Sequence, residues 1–557
     1  MQLHDESKRA GIGWLAAFLL GLLVFTPAIL RRDLWSPDEP RHAEVARTML
    51  ITGEYLVPKL SGELYPDKPA PPFWLMAVSM KLAGGPSEWA ARLPFVLAAA
   101  GTLALITFIV RMLGGSAAAT LLAVLMLATA YRFMWLAQRV SLDMMLTFFT
   151  ALAVSGWLRQ WKARGSEYVN GLIFFGASAL AVLTKGPLGL LVPLLTASIH
   201  AAWTGNLRRF LAPRFLASIL VFVAIVSAWV IPACIAGGEA YTRELLFKQS
   251  AGRVFNAWNH ENPFWYYATK LPLEFLPWTP VLILGLVGIA RGWFPAERGA
   301  VRFLLAWFLP TFIFLSIVQS KRGNYLLPLY PALAVLTALA ADESALPRGA
   351  AVALRRIAGG LALLMLVIAV AVGVGQFLPQ VKDLELKGLF PGAAAVAVLM
   401  GAGGALSWRF QKKSAVRAFL VQGATILGVM VFAALLVLPV IDARKSPRVV
   451  AELLAAESAR PGHYVPFCGI RTEEYRFYSG LDCREVERDE FLELLKRTDF
   501  ELAVLDRKSL KKVRGSLPEG TRILLETRVG RDDDVVVLRI RERPVGVAEP
   551  VSTEGPG

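Results

Sequence analysis

About thirteen apolar runs, most of them close to twenty residues long, fill this chain between residues 11 and 440. Runs of this kind cross a membrane as helices, because a helix satisfies its own backbone polar groups. Composition agrees, since 55% of the 557 residues are hydrophobic and 18% are charged, unlike an ordinary soluble domain. The predicted spans are residues 11–30, 89–110, 116–134, 142–158, 171–183, 188–203, 215–233, 275–290, 303–318, 326–341, 357–377, 393–407 and 418–440. We predict a polytopic α-helical membrane protein.

The basic residues indicate topology. A net charge of +16 is compatible with nucleic-acid binding, but the Lys and Arg residues are scattered among short loops and form no patch, so no nucleic-acid partner is expected. If the N-terminus is cytoplasmic, every inward loop is basic, as the positive-inside rule requires. The inward residues are Lys8, Arg9, Arg111, Lys162, Arg164, Arg208, Arg209, Arg291, Arg298, Arg355, Arg356, Lys412 and Lys413. An odd number of spans then places the C-terminal tail outside.

Two domains are predicted. Residues 1–441 form the transmembrane domain, whose first outward loop covers residues 31–88. Residues 442–557 are less hydrophobic and mix a helical stretch with β-branched runs, which is typical of a small α/β domain. Cys468 and Cys483 lie in this tail, where an oxidising compartment would permit a disulfide, and the sequence leaves that pairing open.

The first outward loop carries a dense charged motif at residues 38–42. Ser36 or Asp38 is expected to cap a helix over residues 40–52, which ends at Gly53 and lies along the membrane surface. A carboxylate at the positive end of the helix dipole stays ionised and well oriented. Asp38 is therefore a candidate catalytic residue, although an ordinary capping role explains it about as well.

The same loop continues with a proline-rich turn at residues 65–69 and a second short apolar helix over residues 73–82. Proline rigidity would hold Lys68 in place, beside Asp67, for binding a phosphate group. The simpler interpretation is a surface lysine that extends to the lipid headgroups.

Other outward segments add more charge to the same face. Asp143 stands at the entry of a span, where an acidic residue is unusual, and Lys185 lies between two short spans. Residues 320–325 form a basic loop that could bind phosphate or lipid headgroups. His260 lies in an aromatic run suited to an interfacial belt or to stacking on a sugar, and a structural role is its simpler interpretation.

Six motifs in this order resemble those of the bacterial aminoarabinose transferases, which belong to the wider protein-mannosyltransferase-like group of membrane glycosyltransferases. They are DEPRH at residues 38–42, YPDKP at 65–69, SLDM at 141–144, TKGP at 184–187, NHENPFWYY at 259–267 and SKRGNY at 320–325. The resemblance extends from about residue 34 to residue 331. Asp38 matches the first-loop acid of the family and Asp143 matches the acid after its third span, while Asp67 stands where the family has Glu.

This resemblance implies a C-type (GT-C) glycosyltransferase fold with about thirteen transmembrane helices, two juxtamembrane helices and a soluble periplasmic domain. It implies a multi-pass enzyme of the bacterial inner membrane with its active site on the periplasmic side. The expected donor is a sugar on a polyprenyl-phosphate carrier, aminoarabinose or a related pentose or hexose. The expected acceptor is a lipid A phosphate or another periplasmic molecule.

The chemistry requires charges of both signs, because cleavage of a sugar–phosphate bond builds positive charge on the anomeric carbon and negative charge on the leaving phosphate. Asp38 and Asp143 are the predicted catalytic residues, with Asp38 ranked first. A divalent metal ion is left open, with Asp38, Asp143 and His260 as candidate ligands, although their spacing is not that of a tight site. The predicted substrate- and phosphate-binding residues are Glu39, Arg41, Tyr65, Lys68, Lys185, His260, Lys321, Arg322 and Tyr325.

Three alternative functions fit parts of the sequence. A transporter or flippase of lipid-linked sugars would also have many spans, but such proteins usually show inverted repeats and polar residues at mid-membrane. A protein O-mannosyltransferase-like enzyme would use a hydroxyl acceptor, for which one acid serves as base. A binding module anchored by an inert membrane domain would leave the acidic first loop unexplained.

Overall fold

Residues 2–246, 262–294, 298–343, 346–377, 388–458, 464–496, 500–529 and 533–541 are described by the structure, which is a computed structural model. They form two units. The first unit comprises Met1–Arg32, Val45–Lys59 and Leu64–Ile441, and the second comprises Asp33–Glu44, Leu60–Glu63 and Asp442–Gly557. Part of the first loop thus belongs to the same unit as the C-terminal tail.

Helices build the first unit. In chain order they are α1 (Gln2–Leu30), α2 (Asp38–Thr52), α3 (Pro71–Leu82), α4 (Glu88–Met112), α5 (Ala117–Thr129), α6 (Tyr131–Ala137), α7 (Leu142–Trp161), α8 (Glu167–Lys185), α9 (Leu188–Trp203), α10 (Leu207–Phe210), α11 (Pro213–Leu216), α12 (Ile219–Arg243), α13 (Tyr266–Glu274), α14 (Thr279–Ala290), α15 (Arg298–Ile317), α16 (Tyr330–Ala340), α17 (Arg348–Gly375), α18 (Leu389–Gln411), α19 (Ala415–Phe432) and α20 (Leu438–Lys445). A 3₁₀ segment, Gly323–Leu329, precedes α16, and a π-helical turn, Ala433–Val437, joins α19 to α20.

Within the described residues, nine helices are long and apolar enough to cross a membrane, or up to eleven if each of two bent pairs counts as one span. The multi-pass prediction is confirmed. All thirteen predicted spans fall on helices or bent helix pairs, but α7 and the shorter α9 are not among these nine to eleven spans. The two bent pairs are α5 with α6, at 68°, and α13 with α14, at 120°.

Small residues let the spans approach one another closely. A methyl group added to Gly21 of α1 would lie 2.8 Å from the Ala100 Cα atom of α4. One added to Gly156 of α7 would lie 2.8 Å from the backbone nitrogen of Phe174 in α8. Such contacts are typical of membrane helices, which associate through packing because lipid supplies no hydrophobic driving force between them. Gly156 therefore fixes the antiparallel α7–α8 pair.

The first loop contains the two predicted short helices. The apolar face of α2 is buried in protein at Val45, Ala46 and Met49, and its position along the membrane surface stays a prediction. Helix α3 begins at a Pro pair, which suits the first helical turn, and buries one side while Leu82 is exposed on another. Strands β1 (Lys59–Leu60) and β2 (Glu63–Leu64) form a small hairpin between these helices.

The second unit contains a five-stranded mixed sheet with the strand order β4-β3-β5-β7-β6. The strands are β3 (Val465–Cys468), β4 (Cys483–Val486), β5 (Leu502–Asp506), β6 (Arg522–Val529) and β7 (Asp533–Arg539). Strand β3 is parallel to β4 and β5, whereas β7 is antiparallel to β5 and β6. The helices are α21 (Arg448–Glu457), α22 (Glu473–Ser479), α23 (Arg488–Leu495) and α24 (Arg507–Val513), with a 3₁₀ turn at Arg514–Ser516. The predicted α/β architecture of the tail is thus present.

Each face of this sheet packs against helices. Val535 and Val537 of β7 contribute to a core with Val450 of α21 and Tyr475 of α22. Val536 contributes to the other core, with α23 and α24. Alternate residues of a strand point to opposite faces, so a strand covered on both sides is apolar throughout.

The disulfide that the sequence left open is not formed. Cys468 and Cys483 are free and buried, and they belong to the cores on opposite faces of the sheet. Cys483 is the register partner of Val465, at the other end of β3 from Cys468. The two sulfur atoms therefore point away from each other.

Candidate active site

Asp38 is the first residue of α2 and lies in the second unit. The predicted helix is confirmed, but it begins at Asp38 instead of Pro40, so this residue is inside the first turn and is not the cap. Its half-buried carboxylate has no hydrogen-bond or ion-pair partner within the described parts of the chain. The free N–H groups of a first helical turn favour a negative charge there.

The neighbouring residues Glu39 and Arg41 are engaged inside the protein. Glu39 is buried, and its carboxylate accepts a hydrogen bond from the backbone N–H of Trp35 at 3.1 Å. This contact resembles the reach-back bond of a capping box, which fixes the chain direction at a helix start. Arg41 pairs with Glu473 of α22, with 3.5 Å between Nε and Oε1. Both residues therefore have structural contacts beside the substrate-binding role that the sequence predicts.

Tyr65 and Lys68 follow the β1–β2 hairpin in the first unit. The ring of Tyr65 is buried edge-on against Phe73 of α3, with 6.3 Å between centroids. Lys68 is half-buried, and its Nζ atom donates to the backbone carbonyl of Asp67 at 2.8 Å. That bond orients the ammonium group locally, in agreement with the stiff turn that the prolines predict.

Asp143, Lys185 and Tyr325 form one cluster in the first unit. Asp143 lies in the first turn of α7 and Lys185 is the last residue of α8, so the antiparallel pair brings both to the same end. Their carboxylate and ammonium groups form a hydrogen-bonded ion pair, with only 7% and 14% of the side chains exposed. The Lys185 Nζ atom also lies 4.8 Å from the centre of the Tyr325 ring, a cation–π distance.

The loop before Tyr325 holds Lys321 and Arg322. The buried Nζ atom of Lys321 donates to the backbone carbonyl of Asn262 at 2.8 Å, and the Asn262 amide donates back to the Lys321 carbonyl at 3.3 Å. Burial lowers the pKa of Lys321. Arg322 is exposed, and its carbonyl accepts a hydrogen bond from the Tyr267 hydroxyl at 3.2 Å. Arg322 is therefore better placed than Lys321 to meet a ligand phosphate.

Sequence reasoning missed an ion pair between Arg132 of α6 and Glu274 of α13, whose side chains are 21% and 6% exposed. Arg132 also donates to the Asn324 side chain at 3.2 Å. A methyl group on Gly323 would lie 2.5 Å from the Glu274 Oε1 atom, so only glycine fits against this pair without displacing it. The signal was present, because Arg132 lies inside a predicted span, where a charge usually has a buried partner.

The predicted site residues thus fall into two groups. Asp38, Glu39 and Arg41 belong to the second unit, and the others that the structure describes belong to the first. His260 lies in residues 247–261, outside the described residues. Among the residues that are described, no three His, Cys, Asp or Glu side chains are grouped as metal ligands.

Sequence comparison relates the chain to membrane glycosyltransferases. The profile of the dolichyl-phosphate-mannose-protein mannosyltransferase family matches residues 12–248. A protein of Edwardsiella ictaluri named undecaprenyl phosphate-alpha-4-amino-4-deoxy-L-arabinose arabinosyl transferase is 30% identical, over 64% of this chain and 65% of its own length. The protein of the same name from Aeromonas salmonicida is 30% identical over 58% of this chain and 59% of its own. The chain thus spans less than two thirds of these relatives.

Structural comparison covers nearly the whole chain. ArnT from Cupriavidus metallidurans, solved bound to undecaprenyl phosphate, has a TM-score of 0.78 at 21% identity and matches 98% of this chain and 99% of its own. The mycobacterial arabinofuranosyltransferase AftD has a TM-score of 0.52 at 13% identity, over 96% of this chain and 40% of its own.

The fold defines the class: this is a multi-pass membrane protein with the C-type fold of membrane glycosyltransferases, as the motifs predicted. The chain is similar to the protein-mannosyltransferase-like group over residues 12–248, and its resemblance to the aminoarabinose transferases is confirmed.

Proposed function

We propose that this protein is a membrane glycosyltransferase that moves a sugar, aminoarabinose or a close relative, from a polyprenyl-phosphate carrier to a lipid A phosphate. The proposal is carried by the Asp143–Lys185–Tyr325 cluster, a buried charged group at one end of the α7–α8 pair in a chain with the C-type fold. Support also comes from the names of the relatives, whose donor is an undecaprenyl-phosphate-linked aminoarabinose. Buried charges inside membrane domains usually serve function.

Asp38 is the carboxylate proposed to act on the sugar. It has no partner within the described residues, whereas Asp143 is already neutralised by Lys185. An unpaired carboxylate stabilises the positive anomeric carbon more strongly than one whose charge is compensated, because opposite charges nearby cancel its field. This difference supports the ranking of Asp38 over Asp143. The proposed role of Asp143 is to hold Lys185 and, through it, Tyr325.

Positive side chains are proposed to hold the carrier phosphate as it leaves. Lys68 and Arg322 are partly or fully exposed, and Lys185 lies at the end of its helix beside the Tyr325 ring. Phosphate binding by Lys and Arg stabilises the negative charge that develops on the leaving group. Lys321, tied to the Asn262 backbone, is proposed to shape this loop.

The orientation proposed for the membrane domain follows from α7 and α8. Asp143 and Lys185 lie at one end of this antiparallel pair, and the α7–α8 connection at the other end contains Lys162 and Arg164. Basic connections usually remain in the cytoplasm. We therefore propose that the protein is in the bacterial inner membrane and that the cluster and the C-terminal domain are periplasmic.

A second candidate uses the same donor chemistry with a hydroxyl acceptor. It is favoured by the match of residues 12–248 to the protein mannosyltransferase profile. A hydroxyl must lose a proton during attack, so Asp38 would serve as the general base. A phosphate acceptor is already ionised and needs no base, which makes the identity of the acceptor decisive for the role of Asp38.

The test is a transfer assay with the full-length protein in proteoliposomes. Undecaprenyl-phosphate-linked aminoarabinose is the donor, and lipid A or a serine- and threonine-rich peptide is the acceptor. We expect labelled lipid A as product and a loss of about 10²–10³-fold in kcat for Asp38→Asn, the size seen when one charge-stabilising group is removed. Glu63→Gln, which alters an exposed acid of the same loop, is the matched control and keeps full activity.

Other outcomes select other functions. Labelled peptide would favour the hydroxyl acceptor. Movement of the donor across the bilayer without any transfer would favour a flippase. Full activity of both Asp38→Asn and Asp143→Asn would reject the site.

A further inference from the structure

The segment that carries Asp38 is built into the C-terminal domain. Residues Asp33–Glu44 share a unit with Asp442–Gly557, although a hydrogen bond between Asp33 and Asp442 joins positions 409 residues apart. Nothing in the proposed chemistry explains why a catalytic segment should be held by a remote domain. The contacts on the two sides of Asp38 suggest the reason.

On the N-terminal side, one buried carboxylate fixes two points of the segment. Asp442 accepts a hydrogen bond from the backbone N–H of Asp33 at 2.8 Å, and another from the Trp35 Nε1 atom at 2.6 Å. Both Asp442 and Trp35 are buried. Lys445 adds a cation–π contact, with its Nζ atom 4.2 Å from the centre of the Trp35 ring.

Helices α21 and α22 complete the anchor on this side. Arg448 approaches the Asp33 carboxylate with two nitrogens, at 2.8 Å for Nη2 and 3.2 Å for Nε. The Tyr478 hydroxyl accepts from the backbone N–H of Leu34 at 2.8 Å. Arginine bonds of this forked kind fix direction as well as distance.

On the C-terminal side of Asp38, α22 supplies two ion pairs. Glu473 pairs with Arg41 at 3.5 Å, and Arg476 pairs with the fully buried Glu44 at 3.5 Å. Arg476 is itself held by Asp482 at 2.6 Å. The chain is thus fixed again within one turn or two of Asp38.

Between the anchors, no side chain of the described residues holds Ser36, Pro37 or Asp38 at the tip. Ser36 and Pro37 are exposed, and the Asp38 carboxylate has no partner within the described residues. The arrangement restrains the backbone on both sides while it leaves the carboxylate available. This is how a scaffold orders a reactive group without consuming its charge.

We propose that the C-terminal domain is the positioning device for Asp38, with Asp442 and Arg448 as the principal positioning residues. They touch neither sugar nor phosphate and act only through residues 33–35. The inference rests on the proposed function, because it assigns a purpose to holding Asp38. It gives the domain a role in catalysis as part of the active-site scaffold.

The test compares kcat and KM in the full-length protein, assayed as above. Trp35→Phe removes the indole donor and keeps the ring, and Asp442→Asn replaces one acceptor oxygen by a donor. Each is expected to lower kcat by about 10- to 100-fold with little change in the donor KM, since small displacements of a catalytic group cost this much. Lys496→Gln, which breaks an exposed ion pair with Glu493 in the same domain, is the control and changes neither constant.

A double variant separates positioning from general damage. Trp35→Phe combined with Asp442→Asn should lose less than the sum of the two single losses, because both variants change the Trp35–Asp442 contact. Unchanged kcat in both single variants, or a raised KM at unchanged kcat, would overturn the proposal. If Asp442→Asn fails to fold, the kcat of Trp35→Phe alone tests the proposal. Should Asp38→Asn itself retain full activity, the proposed role of Asp38 in the function fails instead, and that one variant tells the two failures apart.

Discussion

Asp38 and Asp143 differ in the ionic contacts of their carboxylates. Asp143 is neutralised by Lys185 at the end of an antiparallel helix pair, so its partner comes from the next helix along the chain. Asp38 is left without a partner in the described residues, and its segment is held by residues about four hundred positions away. A buried carboxylate that is paired contributes mainly to structure, whereas one that is fixed but unpaired is ready for chemistry. The comparison therefore supports the proposal that Asp143 is the supporting acid and Asp38 the reactive one.

The sharpest way to break this comparison is to measure stability. Asp143→Asn leaves the Lys185 ammonium buried without its counter-charge, and we expect a loss of about 3–5 kcal/mol in the free energy of unfolding. Asp38→Asn should change it by no more than about 1 kcal/mol, because only the favourable interaction of the charge with the first helical turn is lost. Thermal unfolding of the purified protein in detergent measures both.

A paired replacement is the control for that experiment. Asp143→Leu combined with Lys185→Met removes both charges, and it should recover most of the stability that Asp143→Asn loses. Equal stability losses for Asp38→Asn and Asp143→Asn would show that the two acids are not different in kind.

A smaller effect is expected where the Tyr325 loop meets the Arg132–Glu274 pair. Gly323→Ala places a methyl group 2.5 Å from the Glu274 Oε1 atom and 3.1 Å from the Arg132 Nη2 atom. Overpacking of this kind costs about 1–3 kcal/mol, and we expect a raised donor KM because Asn324 and Tyr325 move with the loop. Gly360→Ala adds a methyl group with nothing within 4 Å. It should change neither the free energy of unfolding nor the donor KM.

The smallest effect concerns acid stability of the domain that holds Asp38. Burial opposes ionisation of Asp482, but hydrogen bonds from Arg484 and Arg476 outweigh it and lower the pKa of this carboxyl below its ordinary value of 3.8. Its contribution to stability is therefore complete above that ordinary value and is lost as the pH falls through the lower, folded-state value. Unfolding temperatures measured between about pH 2 and pH 7 should fall less steeply for Asp482→Asn than for the wild type. If the unfolding temperatures of Asp482→Asn and the wild type fall equally steeply with pH, the lowered pKa of Asp482 is contradicted.

The overall architecture could be predicted because its signals are local. The apolar runs mark the spans by length and composition. Strands β5 and β7 coincide with the β-branched runs at residues 501–505 and 534–540 that predict strands in the tail. The order of the motifs was enough to identify the fold. Helix α2 begins two residues before the predicted start, because helix ends depend on caps that the sequence pattern alone does not fix.

The parts that sequence missed are pairings between distant residues. Arg132 and Glu274 are 142 positions apart, and Trp35 and Asp442 are 407 apart. No periodicity connects such positions, so each appears in the sequence only as an isolated charge or aromatic residue. The most that could be inferred was that Arg132, inside an apolar run, needs a partner.

The distance along the chain between Asp33 and its anchors also has a consequence for biosynthesis. Ribosomes add about 5–20 residues per second, so Asp442 and Arg448 leave the ribosome on the order of 20–80 s after the segment they hold. During that interval Glu44 and Asp33 have none of their ionic partners from α21 and α22. A nascent chain that stops before residue 442 would insert its spans yet never order the loop around Asp38. The segment around Asp38 thus becomes ordered only after the C-terminal domain has been translated.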